Sequence, residues 1–478
     1  MAVLSDTISF LGQHIVSIAL AAIVIHLIRN YFTPGVYSIP GPFVAKLSNI
    51  WRFIDVAKGR PDVTLYKLHQ KHGDYVRLGP NVVSVRNTDV LKTIYGINKG
   101  YQKTSFYRVQ QQLAKGKPTP TLFTTLDEDF HAAIKRPVSS AYSMSTLTEF
   151  EPFVDSTIRS LFARFDEFVE RGEVCDIATW LQYYAFDVIG ELTFSKPLGF
   201  IEKGRDVGGI IMALEKVLDY SAMIGQMPWL DYLFIKNPLR QFLQGGSTGA
   251  VARFARERLN ERLHQPKARQ ETAKEEFPDT VDDTQVFSYT VSNMNAGSDT
   301  TAIALRAILY YTLKHPRVLK ELQQELNEAF ESGRISNPVS WKQSQGLPTV
   351  PDGLQLPNGP YLPPGTIVGA NPWIIHRHSV FGEDVDSFIP ERWLRGENET
   401  EAEFNTRKQN MVRATFTFGA GPRTCIGKYI SLLEMYKLIP SLFLTYQVEL
   451  KDPKADWEVV NAWFVRQKKM DVRLTRAH

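Results

Sequence analysis

Cysteine is almost absent from this 478-residue chain, which has only Cys175 and Cys425. Two cysteines are too few for a disulfide framework, and such sparse use fits a reducing compartment. Neither sign of charge is in clear excess, because 55 basic side chains stand against 51 acidic ones. No run of lysines and arginines occurs, so the sequence excludes an ordinary nucleic-acid binder. It also lacks a Gly-x-Gly-x-x-Gly dinucleotide fingerprint, so any electrons from a nicotinamide cofactor must come through another protein.

The long apolar run lies at the amino-terminal end of the chain, from Ile8 to Ile28. As a helix it would span roughly 31 Å, which is enough for the hydrocarbon core of a bilayer. The first basic residue, Arg29, follows the run, so the positive-inside rule predicts a lumenal amino terminus and a cytosolic remainder. A cleaved signal peptide is the alternative, although its apolar core is usually shorter and its start basic.

The segment after this run reads Ile-Pro-Gly-Pro at positions 39–42, where the prolines stiffen the chain and stop a helix. We therefore predict a membrane anchor at 1–30, a proline-rich hinge at 31–45 and one large domain at 46–478. Alternating residues around Gly-Pro at 79–80 predict two short strands within 75–86. Residues 285–315 form the longest helical candidate, which Pro316 ends.

Cys425 stands in the run Phe-Gly-Ala-Gly-Pro-Arg-Thr-Cys-Ile-Gly at 418–427, just before another predicted helix. The amino-terminal end of a helix offers free N–H groups and partial positive charge, so we expect a thiolate. Gly419 and Gly421 would let the backbone approach the sulfur, and Phe418 would shield it from water. Arg423 provides a planar fork that suits a carboxylate. The alternative is an inert cysteine in a Gly-Pro turn.

This run resembles the haem-binding signature of cytochrome P450 enzymes, Phe-Gly-x-Gly-x-Arg-x-Cys-x-Gly, at all six fixed positions, Gly427 included. The resemblance implies a mainly α fold with small β-sheets, in which the domain at 46–478 is a single large haem domain. It also implies haem b, with Cys425 as the axial thiolate that binds iron and Arg423 on a propionate. A thiolate ligand with an open opposite face favours cleavage of the O–O bond.

The middle of the 285–315 helix, Ala-Gly-Ser-Asp-Thr-Thr at 296–301, resembles the motif of the family's distal helix. Alone, such polar residues usually mark a solvated helix face. The resemblance implies that Ala296 and Gly297 border the haem, with Gly297 leaving room for oxygen and substrate. It further implies that Thr300 hydrogen-bonds oxygen while Asp299 relays protons from solvent.

Two further elements resemble the family more weakly. His131 and Lys135 lie four residues apart, hence on one helical face, and the resemblance places them at the haem propionates. The run Phe-Ile-Pro-Glu-Arg-Trp at 388–393 resembles a family element whose arginine, here Arg392, locks the loop beside the cysteine. A plain surface pair and a plain surface charge are the respective alternatives.

One family element is missing from the sequence. Between the long helix and Arg392 the family requires a Glu-x-x-Arg helix, whose side chains pair with that arginine. Only Glu331 and Arg334 have this spacing, and they lie in a polar, Gly-containing loop, so we interpret the match as coincidence. The sequence continues from Pro348 directly into Thr349, as if the helix and its following strand had been removed. Arg392 would then lose both partners, and an unpaired buried charge costs roughly 3–5 kcal/mol.

Two explanations of this gap remain open. One is an error in gene prediction, such as an exon read as an intron. The other is a truncated product that binds haem poorly or is inactive, which would be a non-catalytic pseudoenzyme on the same membrane.

Fragments at 69–80, 141–145 and 425–436 resemble filamentous-fungal microsomal enzymes of the pisatin-demethylase-like branch. This resemblance implies a monooxygenase of the endoplasmic reticulum membrane that oxidises a lipophilic small molecule in secondary metabolism. Its partners would be O₂, membrane lipid and NADPH–cytochrome P450 reductase, with cytochrome b5 as an additional donor. Lys428, Arg413 and Arg136 are the predicted docking cations. A peroxidase that uses the same thiolate is a further alternative.

Overall fold

The computed structural model describes residues 2–96, 101–114, 117–243, 250–263, 281–340 and 366–477. Helices dominate these residues, so the predicted mainly α fold with small β-sheets is confirmed. The α-helices are α1 Ala2–Tyr31, α2 Phe43–Leu47, α3 Ile50–Ala57, α4 Pro61–His72, α5 Leu91–Tyr95, α6 Glu128–Ser139, α7 Met144–Leu147, α8 Glu151–Arg171, α9 Ile177–Phe194, α10 Phe200–Lys203, α11 Ile210–Ile224, α12 Pro238–Leu243, α13 Ala250–Leu263, α14 Asp283–Lys314, α15 Pro316–Glu331, α16 Pro372–Ile375, α17 Glu401–Ala414 and α18 Lys428–Thr445.

The strands are short. They are β1 Tyr75–Gly79, β2 Val82–Val85, β3 Gln112–Ala114, β4 Lys117–Thr119, β5 Cys175–Asp176, β6 Ile367–Gly369, β7 Tyr446–Leu450, β8 Glu458–Asn461, β9 Val465–Lys468 and β10 Asp471–Arg476. The 3₁₀ turns used below are Ser105–Gln110, Pro228–Tyr232, Ser379–Phe381, Pro390–Trp393 and Gly421–Arg423. The chain divides into two units, Met1–Tyr101 with Val350–Arg423, and Gln102–Thr349 with Thr424–His478.

The first unit begins with α1, which is long and apolar enough to cross a membrane by length and composition. Its window His14–Tyr31 has a mean hydropathy of 1.5 and is not buried by other parts of the protein. In the same unit β1 and β2 pair antiparallel, as their alternating residues predict, and β6 joins β2 in parallel.

A buried arginine fixes the segment that follows α1. Arg77 of β1 is 0% exposed, and its guanidinium donates to the carbonyls of Asn30 at 2.5 Å and Tyr31 at 2.9 Å. Its backbone N–H donates to Pro40 O at 2.7 Å, and a Cβ on Gly41 would lie 2.1 Å from Arg77 O. The end of the anchor helix and the proline-rich segment are therefore held against the sheet, where only glycine fits at position 41.

The second unit contains the largest core, in which α9 packs along α14. Helix α9 is buried around most of its circumference, because apolar residues occupy nearly all of its faces. Helix α14 starts where the side chain of Asp282 accepts the N–H of Gln285 at 2.7 Å, and it ends just before Pro316. The sequence predicted both ends to within two residues.

Helix α18 passes through Pro440 without ending. Proline lacks the N–H that would bond to the carbonyl of Tyr436. In this unit β5, β10 and β7 form one antiparallel sheet, and β3–β4 and β8–β9 are two hairpins.

Candidate active site

Cys425 lies at the amino-terminal end of α18, as the sequence predicts. The residue is exposed, and the N–H groups of Gly427 and Lys428 hydrogen-bond to its sulfur. Desolvation by the surrounding protein nevertheless raises the pKa of the thiol, and it outweighs these two N–H groups and the charge of Lys135. The helix terminus therefore favours the thiolate, as predicted, but it offsets the desolvation only in part. A bound cation would provide the missing charge, because coordination deprotonates a thiol outright.

Cys175 lies in a different environment from Cys425. It is fully buried in β5, and burial raises the pKa of its thiol far above the ordinary value. Its structural role, expected from the sequence, matches this environment.

The glycines before Cys425 belong to the first unit and have positive φ, 70° at Gly419 and 64° at Gly421. A Cβ on Gly421 would lie only 1.6 Å from the carbonyl oxygen of Tyr95, so no other residue fits. The close approach predicted for this glycine is thus an approach to Tyr95. Phe418 and Arg423 in the same loop are half-buried.

A histidine that the sequence did not single out holds the start of this loop. The N–H of Phe416 donates to Nε2 of His376 at 2.8 Å, and the Phe416 ring lies 4.8 Å from that of Tyr95. Burial lowers the pKa of His376, which keeps the imidazole neutral and its nitrogen able to accept. The sequence gave no signal for this contact, since His376 is far from the loop along the chain.

In the second unit, α6 carries His131, which is buried, and Lys135, which is half-buried and close enough for its charge to act on Cys425. Helix α6 is tied to α14 because Tyr289 donates to Ile134 O at 2.5 Å. The hydroxyl of Tyr142 donates to Asn293 of α14, and its pKa is raised to about 12, chiefly by burial. Contact of His131 and Lys135 with propionates stays a prediction.

Near the middle of α14, two residues about one helical turn apart remain accessible to solvent. Ala296 is exposed and Thr300 is half-exposed, whereas Ser298, Asp299 and Thr301 are buried. The hydroxyl of Thr300 donates to Ala296 O at 2.6 Å, and residues four apart share a helix face. We call this face, formed by Ala296 and Thr300, the open face. Thr301 joins α14 to α18 through Ser431, with 2.9 Å between the hydroxyl oxygens.

Gly297 is placed differently from the prediction. A Cβ there would lie 2.8 Å from Cδ1 of Ile189, so the missing side chain allows close packing of α14 on α9. The exposed residue of this part of the helix is Ala296, and Thr300 one turn later is half-exposed.

Asp299 also points toward α9. Gln182 donates to its carboxylate at 2.6 Å, and Arg306 donates to Gln182 Oε1 at 3.0 Å and to Ala178 O at 2.8 Å. Burial raises the pKa of Asp299, while the Gln182 bond and the charge of Arg306 oppose the rise. Sequence reasoning missed Gln182 and Arg306. The signal that could have revealed this contact is Arg306 itself, a single arginine in the otherwise largely apolar second half of α14.

Arg392 is better satisfied than the sequence suggested. Its guanidinium donates to Ile389 O at 3.0 Å, to Asp384 O at 2.9 Å and Ser387 O at 3.1 Å, and also to Phe381 O. The predicted cost of an unpaired buried charge is therefore wrong for this chain. Carbonyls replace carboxylates, and the loop that the arginine holds is the one from Phe381 to Ile389. A role beside the cysteine run stays a prediction.

The Glu331 and Arg334 match is a coincidence, as interpreted above. Glu331 is the last residue of α15, and Arg334 bonds to Ser332 Oγ at 3.0 Å beyond the helix. The junction from Leu347 to Val350 lies outside the described residues.

The second unit suits a thiolate-bound haem on three observations. The sulfur is exposed with N–H groups directed at it, a lysine acts on it electrostatically, and α14 offers an open face with a hydroxyl. The donor set is one soft sulfur, and no cluster of three metal-ligating side chains occurs among the described residues. A single thiolate matches an iron whose other ligands come from a macrocycle.

Comparison with known proteins agrees. The family model described as Cytochrome P450 matches residues 40–354 and 349–472. A cytochrome P450 monooxygenase, cicH, of Emericella nidulans is 37% identical over 498 positions, covering 95% of this chain and 98% of that protein. One from Aspergillus terreus is 37% identical, covering 94% and 98%. A crystal structure of a cytochrome P450 (CYP102L1) has a TM-score of 0.69 at 16% identity, over 89% of this chain and 96% of that one.

The family match is divided into two segments, which overlap at residues 349–354. This is where the sequence predicts that a helix and a strand are missing. The pairing with cicH has 498 positions, although 95% of 478 residues is only about 454. About 44 positions of that pairing therefore have no counterpart here. These unmatched positions are enough in number to include a whole helix and a strand.

Proposed function

The chain belongs to the cytochrome P450 family, and from this premise we propose that it is a haem-thiolate monooxygenase acting on a lipophilic small molecule. Proteins of this family are oxidoreductases that bind haem through a cysteine thiolate. The observation that carries the proposal is Cys425, exposed at the start of α18 with two N–H groups on its sulfur. Residues 46–478 would act as one haem domain.

Each site residue has a proposed role. Cys425 ligates the iron, with Gly427 and Lys428 stabilising the thiolate through their N–H groups. His131, Lys135 and Arg423 bind the propionates, and Phe418 excludes water from the sulfur. Gly419, Gly421 and Arg392 fix the loop and Ala296 shapes the distal wall, while Gly297 lets α14 pack closely on α9. When bound, the haem iron activates O₂ so that one oxygen atom enters a C–H bond and the other becomes water.

Thr300 and Asp299 manage the protons that this stoichiometry requires. The Thr300 hydroxyl on the open face donates a proton at the reacting oxygen and regains one. Asp299 delivers protons from the α9 side. Its side chain and that of Thr300 point to different faces of α14, so the bond between Asp299 and Gln182 must open for this delivery. The raised pKa of Asp299 suits a group that has to hold a proton before giving it up.

Two electrons come from NADPH through a separate reductase, NADPH–cytochrome P450 reductase, with cytochrome b5 as an additional donor. Lys428, Arg413 and Arg136 are the proposed docking cations. We place the protein in the endoplasmic reticulum membrane with α1 spanning it, the amino terminus lumenal and the domain cytosolic. Exposed apolar side chains just after α1, at Phe32, Phe43 and Val44, support contact with the membrane surface. Fungal secondary metabolism is the proposed setting.

The carbon monoxide difference spectrum of the reduced protein tests the proposal. We expect the Soret band of a thiolate ligand, which Cys425→Ser removes. Cys175→Ala is the matched control, because it removes the only other cysteine and should keep the band. A Soret band at the free-haem or imidazole position in the parent protein would refute thiolate ligation.

A second candidate is a haem-binding pseudoenzyme, which the interruption of the family match at 349–354 favours. It predicts weak haem retention and no substrate-dependent consumption of NADPH when reductase is present.

A further inference from the structure

A buried ion pair joins two turns of the second unit. Lys236 Nζ lies 2.6 Å from Asp231 Oδ2, and the two side chains are 5% and 2% exposed. The same ammonium donates to the carbonyls of Arg108 at 2.5 Å and Val109 at 3.2 Å, in the 3₁₀ turn Ser105–Gln110. Tyr220 donates to the other carboxylate oxygen at 2.8 Å. All three donors of the ammonium are thus used, and both oxygens of the carboxylate accept.

Burial of such a pair contributes little to stability compared with apolar residues of the same size. The effect of the ion pair is on geometry. An ammonium with three fixed acceptors holds the turns Ser105–Gln110 and Pro228–Tyr232 in one arrangement. We call the pair Lys236–Asp231, with the carbonyls of Arg108 and Val109, the clamp.

The turn held by the clamp carries aromatic rings. Phe106 stacks on Trp463, with centroids 5.1 Å apart and planes 15° from parallel, and Tyr107 lies edge-on to Phe106 at 5.4 Å. Phe123 lies 6.3 Å from Trp463. We call these four residues the aromatic wall. Phe106 also rests on Gly225, where a Cβ would lie 2.4 Å from Cε2 of the ring.

The aromatic wall is attached to α14 beside the open face. Trp463 lies in the turn between β8 and β9, and in β9 Gln467 donates to Ile303 O at 3.3 Å. Ile303 follows Thr300 by three residues, hence by less than one helical turn. Arg466 binds Asp219 of α11 at 2.8 Å, so the hairpin is fixed to two helices.

We propose that Lys236 is a positioning residue for substrate binding, which holds the aromatic wall in place and thereby selects molecules with a planar aromatic ring. The inference rests on the proposed function for the chemistry at Thr300, but the clamp itself does not need haem. Offset and edge-to-face contacts favour an aromatic ring over a saturated ring of similar size.

Amide hydrogen exchange, followed by mass spectrometry, tests the clamp. We expect Lys236→Met to speed exchange about tenfold in peptides covering 101–111 and 228–236, because the turn loses a buried charged anchor. Lys451→Met is the matched control, since Lys451 pairs with Asp471 at 3.4 Å on the surface of the same unit. Unchanged exchange in the 101–111 peptide would overturn the clamp. Should Lys236→Met fail to fold, the double variant Lys236→Met with Asp231→Leu leaves no unpaired charge and carries the same expectation.

Two azole probes test the selection in haem-loaded protein, with binding read from the Soret shift. We expect N-benzylimidazole to bind about fivefold more tightly than N-(cyclohexylmethyl)imidazole, within the range of one ring contact. Lys236→Met and Trp463→Leu should each bring this ratio close to one, and Lys451→Met should keep it. A parent protein without the preference, or a preference that survives both changes, would overturn the selection. Failure to bind haem at all would refute the proposed function, whereas the exchange experiment would still decide the clamp.

Discussion

Two adjacent residues of α14 have separate environments, and this separation defines their chemistry. Thr300 lies on the open face, whereas Asp299 is buried against α9 and bound by Gln182. Successive helical residues are turned by about 100°, so both cannot face one ligand. In the proposed mechanism, the acid would therefore store a proton behind the alcohol on the open face.

Thr300→Ala should divert electrons into hydrogen peroxide, because the hydroxyl that passes protons on the open face is lost. The measurement is the share of consumed NADPH that appears as peroxide, with reductase present. Thr301→Ala is the matched control: it removes the bond to Ser431 and should cost about 1 kcal/mol of stability without raising that share. If Thr300→Ala hydroxylates as efficiently as the parent, the proton role of this residue is wrong.

Glu434 in α18 gives a pH dependence of stability. It is fully buried, its carboxyl oxygens have no hydrogen-bond partner among the described residues, and burial raises its pKa well above the ordinary value. The folded state then keeps a proton that the unfolded state releases near pH 4.3, so the free energy of unfolding falls as pH rises through that window.

Glu434→Gln should flatten this dependence and make the protein more stable at neutral pH than the parent. Urea unfolding midpoints between about pH 5 and pH 8 measure it. Glu449→Gln, an exposed change on β7, is the control and should leave the slope as it is. Parallel slopes for Glu434→Gln and the parent would contradict the assignment of a buried neutral acid.

At the scale of elements, β1 holds the end of the anchor helix through one side chain. Arg77 bonds to four carbonyls, those of Asn30, Tyr31, Gly79 and Pro80. Two of them belong to the last turn of α1, where unpaired carbonyls carry partial negative charge. The arginine therefore fixes the direction in which the chain leaves the anchor.

Arg77→Met should lower the free energy of unfolding by about 3 kcal/mol, because charge-assisted bonds are lost and buried carbonyls are left unpaired. It should also speed proteolysis between residues 31 and 45. Arg86→Met is the control, since Arg86 forms a half-exposed pair with Asp74 at 3.1 Å and should cost less than about 1 kcal/mol. Equal losses in both variants would show that Arg77 does not anchor the segment.

The sequence predicted elements that local patterns encode. The length of the apolar run predicted α1, the alternation of residue types predicted β1 and β2, and Pro316 predicted the end of α14. The sequence did not settle where α18 ends, and the helix continues through Pro440. It could not place Gly297 on Ile189 or Gln182 on Asp299, because such contacts depend on how α9 and α14 pack. A motif identifies residue types, whereas the direction in which each side chain points is a tertiary property.

At the scale of the whole molecule, the segment that the sequence predicts to be missing bears on how firmly the Arg392 loop is held. Arg392 is satisfied by neutral carbonyls, so the loop that ends at Ile389 can form without a Glu-x-x-Arg helix. Carbonyls, however, leave the positive charge of the guanidinium uncompensated. Bidentate pairing with a carboxylate is stronger and more specific in geometry, so a longer chain would hold this loop more firmly.

We predict that the natural transcript contains further coding sequence between the codons for Leu347 and Val350. About 44 positions of the pairing with cicH have no counterpart here, and the family match breaks at 349–354. The protein from that longer transcript should retain haem through gel filtration, and the 478-residue chain should lose more of it, as absorbance at the Soret band relative to protein would report.

Arg392→Lys distinguishes the two forms further, because lysine cannot supply the planar fork of an arginine. In the longer protein the change should lower haem retention strongly, since a carboxylate pair is broken. In the 478-residue chain, where only carbonyls accept, the loss should be smaller. An uninterrupted message with no additional codons would refute the omission. Full haem retention by the shorter chain would show instead that the carbonyls around Arg392 are enough to hold the cysteine loop.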